Sequence, residues 1–150
     1  MSQSLARLCV HLVFSTKHRE CLLLDSIRKD LHAYIATVLK NMECPALIIN
    51  SVEDHIHILL DLNRTISISY VMEHVKKTSS KWLKTQSQAL AKFGWQAGYG
   101  AFAVSESNIP AVRKYIEAQQ EHHHKMTFQE EYRAFLTKNR ISYNERYVWD

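Results

Sequence analysis

The run Asp54-His55-Ile56-His57-Ile58-Leu59-Leu60 constrains this chain more than any other. Its apolar residues read as a strand. Side chains alternate across a strand, so both imidazoles leave on one face, roughly 6 to 7 Å apart along the backbone. Ile56, Ile58 and Leu60 then face helices, while His55, His57 and Leu59 face the other way. Histidine is costly to bury without partners. The second face is therefore either solvated or a place where two nitrogen ligands meet one divalent ion.

The rest of the pattern supplies a sheet for this strand. Residues 7 to 15 alternate, with Leu8, Val10, Leu12 and Phe14 on one side and Cys9, His11 and Val13 on the other. Asp25 or Ser26 caps a helix that carries Ile27, Leu31, Tyr34, Ile35, Val38 and Met42 at helical spacing and stops at Cys44-Pro45. Residues 46 to 52 and 55 to 61 form two strands around the Glu53-Asp54 turn. A second helix spans about 67 to 85, and Tyr99 to Ser105 is a fourth strand. Ser107 or Asn108 caps a third helix, with Pro110 in its first turn, running to about His124. Thr127 and Glu130 form a capping box for a last helix, 128 to 138, and the aromatic tail with Tyr143, Tyr147 and Trp149 packs on something. The order β-α-β-β-α-β is that of the ferredoxin-like split βαβ fold, an α+β antiparallel sheet with extra C-terminal helices. At 150 residues it fits one domain, 1–150. One face of such a sheet is covered by helices and the other is open, and the two histidines fall on the open face.

Two histidines alone are an incomplete site. Third-ligand candidates are Glu53, Asp54, His11, Gln119, Glu121 and the cluster His122, His123, His124. Consecutive helical residues point about 100° apart, so the cluster reads as a solvated helix end. Tyr115 and Gln119 stand at i and i+4 on the third helix, on one face. Tyr115 is either a core-edge aromatic or a nucleophile for a phosphodiester, with an ordinary pKa of about 10. Lys77, Lys81 and Lys84, flanked by Lys76, stripe the second helix with only Glu73 as a carboxylate there. Such a stripe is either a solvated face or a phosphate-binding surface. Trp82, Phe93, Trp95 and Tyr99 are candidates for stacking on unpaired bases or for the core.

A net charge of +4 and a pI near 9.0 are compatible with a phosphate-bearing partner. Three cysteines without CxxC spacing read as free thiols of a reducing compartment. The amino-terminal residues have no signal-peptide character and no stretch is long enough for a membrane span, so a cytoplasmic protein without a membrane partner is expected. No Gly-rich phosphate loop is visible, and no nucleotide cofactor is expected.

Taken together, the chain resembles the single-tyrosine HUH transposases of small bacterial and archaeal insertion sequences, the insertion-sequence-200-like group. The resemblance rests on His11-Leu-Val-Phe-Ser-Thr-Lys17 with Arg19, on Asp54-His55-Ile56-His57-Ile58-Leu59, and on Val75-Lys-Lys-Thr-Ser-Ser80. It continues through Trp95-Gln-Ala-Gly-Tyr-Gly-Ala-Phe-Ala-Val-Ser105, Tyr115-Ile-Glu-Ala-Gln119-Gln-Glu-His-His123, Phe128-Gln-Glu-Glu-Tyr132 and Tyr143-Asn-Glu-Arg-Tyr147. It implies that His55 and His57 hold Mg²⁺ or Mn²⁺ with Gln119 as third ligand. It implies that Tyr115 attacks single-stranded DNA to form a 5′-phosphotyrosine and free a 3′-hydroxyl. It further implies imperfect DNA hairpins as partners and a homodimer in a prokaryotic cell, with the tyrosine helix of one subunit able to serve the histidines of the other. Lys17, Arg19, Lys76, Lys77, Lys81 and Lys84 are the expected DNA-binding residues. Two alternatives stand beside this: a ferredoxin-like hairpin-binding protein without catalysis, and a metal-dependent phosphoesterase that uses water.

Overall fold

The computed structural model describes residues 2–150, apart from the side chains at 122–124; the His122–His124 cluster therefore lies outside the described residues. Four strands, β1 (Cys9–Ser15), β2 (Ala46–Ser51), β3 (His55–Asp61) and β4 (Gly100–Ala103), form one sheet in the order β2-β3-β1-β4. Every neighbouring pair is antiparallel, as the split βαβ order requires. β1 and β3 lie at the centre, in a register that pairs Phe14 with Ile56 and Val13 with His57.

Helices α1 (Asp25–Asn41) and α2 (Ile68–Lys84) cover one face. The apolar phases of β1 and β3, Leu12, Phe14, Ile56, Ile58 and Leu60, meet Leu31, Ile35 and Leu39 of α1 and Val71, Met72, Val75 and Leu83 of α2 in one buried cluster. Ser67 caps α2 by accepting a hydrogen bond from the Tyr70 amide (3.1 Å). The expected side-chain cap of α1 is absent: Leu24 occupies the cap position, and Asp25, already helical, pairs with Arg28 at 2.9 Å. No described helix is long and apolar enough to cross a membrane. Cys9, Cys21 and Cys44 are free thiols.

The opposite face departs from expectation. It is roofed, not open, by α3 (Ile109–Glu117), α4 (Gln119–Lys125), α5 (Phe128–Lys138) and the tail. Phe128, Tyr132 and Leu136 of α5 pack on Val13 and Phe102, while Ile109 and Ile116 of α3 pack on Cys9 and Leu59. The stripes on α3 and α5 need an apolar surface, and the second phase of the sheet supplies it. Gly100 permits the close approach of α5, because a Cβ there would stand 3.0 Å from both the Phe102 and Tyr132 rings. Thr127 accepts from the Glu130 amide as the capping box requires, and α5 spans the expected residues. Trp149 anchors the tail on Phe128 and Tyr132.

The expected helix from Asn108 to His124 is broken. α3 ends at Glu117, Ala118 leaves helical geometry (φ −91°, ψ 19°), and α4 begins at Gln119. Neither Gly nor Pro causes the break. Asn50 of β2 donates its side-chain amide to the carbonyls of Ile116 (2.8 Å) and Glu117 (3.3 Å), satisfying groups that a helix end leaves open.

Candidate active site

β3 delivers His55 and His57 to the roofed face, where both are buried, 2% and 0% exposed. α5 delivers Glu131 directly onto them. Glu131 Oε1 lies 3.1 Å from His55 Nε2 and 3.0 Å from His57 Nε2. Its other oxygen accepts hydrogen bonds from the Tyr115 hydroxyl and from the Gln119 side-chain amide, the latter at 3.3 Å. Gln119 Oε1 also lies 3.3 Å from His55 Nε2. One buried carboxylate thus joins the histidine pair on one side to the phenol on the other. Tyr115 and Gln119 do meet, but across the Ala118 break and not on one uninterrupted helical face.

A second layer fixes the rings. His55 Nδ1 contacts Asp54 Oδ1 at 2.7 Å, and His57 Nδ1 contacts His11 Nε2 at 2.8 Å. The His11 and His57 rings stack at 5.1 Å. Burial, reinforced by charge on His57, lowers the His11 pKa to about 3, so His11 is neutral. When His57 Nε2 acts as a ligand, its ring proton sits on Nδ1, and neutral His11 accepts it through Nε2. Asp54 accepts the Nδ1 proton of His55 in the same way. Carboxylate or imidazole acceptors behind ligating histidines are the usual means of fixing their orientation.

The charges are mutually stabilised. Burial opposes ionisation of Glu131, but hydrogen bonds from His55 and His57 outweigh it and hold the carboxyl well below the usual carboxylate range. Burial likewise opposes charge on His55, yet its hydrogen bonds to Asp54 and Glu131 prevail and raise its pKa to about 9. The Tyr115 phenol is pushed above its ordinary value, by burial first and then by the Glu131 charge. Its proton rests on oxygen until positive charge arrives beside it.

The donor atoms of His55, His57 and Glu131 all lie within 4.8 Å of one another. Two imidazole nitrogens and a carboxylate oxygen form a donor set that suits a divalent ion, with the Gln119 carbonyl as a further oxygen. Sequence reasoning did not single out Glu131. The available signal was its place on the apolar stripe of α5: it falls between Phe128 and Tyr132 at helical spacing, where an unpartnered carboxylate would be costly.

The basic residues expected to bind DNA lie outside this cluster. Lys77, Lys81 and Lys84 are exposed on α2, across the sheet from Tyr115. Lys76 is engaged within the fold: its amine donates to the carbonyls of Gln96, Ala97 and Gly98 at 2.9, 3.1 and 2.7 Å, and lies over the rings of Phe14 and Tyr99. Arg19 lies over the Trp149 ring, and Lys17 is exposed. Phe93 and Trp95 belong to the α1–α2 core, with Trp82 and Tyr99 packed at its edge.

Fold and site together define an α+β protein built around a tyrosine beside a metal-competent His-x-His pair. The family described as Transposase IS200 like matches residues 4–119, which span all four strands and end at Gln119. This chain belongs to the IS200-like transposase family. Among solved structures it is similar to a Deinococcus radiodurans R1 protein assigned as a transposase, with 20% identity over 79% of this chain and 98% of that one and a TM-score of 0.62. It is also similar to a REP-associated tyrosine transposase bound to a REP hairpin, with 16% identity over 82% of this chain and 74% of that one and a TM-score of 0.61. No curated protein matches significantly. Glu131 and α5 lie beyond the segment that the family match covers.

Proposed function

We propose that this transposase cleaves and rejoins single-stranded DNA at hairpin-bearing element ends through a covalent 5′-phosphotyrosine on Tyr115. In this reading His55, His57 and Glu131, with Gln119 beside them, hold a divalent cation, Mg²⁺ or Mn²⁺. One observation carries the reading: the Tyr115 hydroxyl and the two imidazoles contact opposite oxygens of one buried carboxylate. Family membership supports DNA as the substrate, and the hairpin held by the REP-associated relative supports a folded single strand.

Tyr115 Oη attacks the scissile phosphorus. The Oη–P bond forms as the bond from phosphorus to the 3′ oxygen breaks, the phenolic proton leaves to solvent from a hydroxyl that Glu131 orients, and the departing oxygen takes up a proton to become a 3′-hydroxyl. Attack by another strand's 3′-hydroxyl reverses the step and rejoins DNA. The phosphotyrosine conserves the energy of the broken bond, so no nucleotide is needed. When bound, a divalent cation supplies polarisation of the phosphate and neutralisation of its developing charge. Asp54 and His11 keep the imidazoles oriented throughout.

The test is incubation with end-labelled single-stranded DNA carrying the palindromes that flank the reading frame, with Mg²⁺ or with chelator. A metal-dependent, protease-sensitive adduct that disappears in Tyr115→Phe is expected. Cleavage that survives Tyr115→Phe would assign the chemistry to water, and hairpin binding without any cleavage would leave a binding protein. Tyr115 reaches the histidine pair within one chain, and in a homodimer the tyrosine helix of either subunit could serve that pair. Mixing Tyr115→Phe with His57→Ala separates the arrangements: sites completed in cis stay inactive, whereas exchange of tyrosine helices restores the adduct.

A further inference from the structure

Between α3 and α5 a cavity of about 650 Å³ opens beside the reacting groups. Tyr115 and Glu131 form its inner wall together with His11, Phe135 flanks them, and Lys125 and Lys138 contribute its cationic lining. The proposed chemistry uses the inner wall alone. It leaves unused a roomy, largely apolar chamber with two lysines, contiguous with the attacking oxygen.

We infer that this cavity receives one unpaired nucleobase of the substrate strand, from a nucleotide next to the phosphate that Tyr115 attacks. The inference rests on the reading of Tyr115 as the nucleophile, because that reading places a phosphate at the cavity's inner wall. Size comes first: several hundred Å³ is the range of small-molecule sites and admits a purine or a pyrimidine with its sugar. The lining comes next. Phe135 is partly exposed and is held by Phe102, stacked at 5.3 Å, and by His11 and Tyr115, edge-on at 5.1 and 5.7 Å. An aromatic ring braced on three sides loses little freedom when a base packs against it, and base–aromatic stacking tolerates any sequence. Charge then selects the ligand class. Exposed Lys125 and Lys138 suit the phosphates on either side of an extruded nucleotide, whereas a neutral apolar ligand would gain nothing from them. Taking a base out of its stack also bends the backbone at the phosphate to be cut, which presents phosphorus to an attacking group.

The experiment uses the full chain, metal-free so that no strand is cut, and oligothymidylate 12-mers carrying one 5-iododeoxyuridine. Irradiation followed by peptide mapping should place the main cross-link on the α5 peptide containing Phe135, or on Tyr115. Phe135→Leu, which keeps an apolar side chain against Phe102, should reduce that cross-link about tenfold, as the loss of one stacked base implies. The same variant should bind a 12-mer containing an abasic position no more weakly than wild type does. Failure to retain the oligonucleotide, cross-links confined to other peptides, or an undiminished cross-link in Phe135→Leu overturns the inference. The Tyr115 adduct assay is independent. An adduct without a cross-link to the α5 peptide or Tyr115 removes the base pocket and leaves the strand-transfer reading intact, whereas that cross-link without an adduct removes the strand-transfer reading and leaves a base-binding cavity with no attacked phosphate beside it.

Discussion

The two faces of the sheet treat the same residue type in opposite ways. On α1, His32 shares a 2.6 Å hydrogen bond with Ser51 of β2, and burial, helped by the Arg28 charge, lowers its pKa to about 4. On the face roofed by α3 and α5, His55 is more deeply buried, yet its pKa rises to about 9 because two carboxylates meet it. Burial alone expels charge; burial with fixed counter-charges stores it. One face is therefore an apolar foundation and the other a preorganised polar site, and the strand between them, β3, serves both through its two phases.

The sharpest way to break this contrast is to remove a histidine from the polar face. His57→Ala should lower cleavage by about 10³-fold or more, since it removes one of the three groups that place charge at the phosphate. Hairpin binding, measured by gel shift, should stay within about threefold of wild type. Equal loss of both would make His57 part of the foundation instead. Glu131→Gln is next. It keeps the size of the side chain but removes the charge that both imidazoles face, and it should cost about 10- to 100-fold in Mn²⁺ affinity and in cleavage. Mn²⁺ titration followed by electron paramagnetic resonance checks this, and unchanged affinity would return the third ligand position to Gln119 alone.

The contrast also has a pH signature in the metal-free protein. His32 has a folded pKa below its unfolded value of about 6.5, so the unfolded chain takes up its proton first, and stability falls as pH drops from about 6.5 toward 4. His55 has the opposite sign. Its contribution is fully present below about 6.5 and is lost as pH rises through about 9. Melting curves across pH 4 to 10 should therefore decline at both ends. His32→Gln should flatten the acid limb and His55→Gln the alkaline limb. The same limb flattening in both variants would mean that the two faces do not differ in this way.

Much of the foundation was legible because it is local and periodic. The two phases of β1 and β3 and the Thr127–Glu130 box follow from neighbours in sequence. The polar face was legible only in part. His55, His57, Tyr115 and Gln119 stand out as residue types, but their meeting depends on distant partners. The break at Ala118 is met by Asn50, far earlier in the chain, which hydrogen-bonds the carbonyls beside it, and Glu131 acquires meaning only once α5 is folded over β3. The expectation of an open face failed for the same reason: the stripes of α3 and α5 announce amphipathic helices without saying which surface they cover.

The smallest expected effect concerns the lysines, which the fold divides. Lys76 satisfies three carbonyls and belongs to the foundation, whereas Lys77 and Lys81 project into solvent from α2, on the far side of the sheet from Tyr115. If DNA wraps from the catalytic face onto α2, each of these two lysines neutralises about one phosphate. The double reversal Lys77→Glu and Lys81→Glu should then lessen the slope of log affinity against log salt by about 1.4 on a single strand, at about 0.7 per contact. Adduct formation at saturating DNA should be unchanged, because neither side chain approaches the carboxylate that joins Tyr115 to the histidines. An unaltered salt slope would confine DNA to the roofed face. A slower adduct at saturation would couple α2 to chemistry across the sheet, and the division between foundation and site would no longer hold.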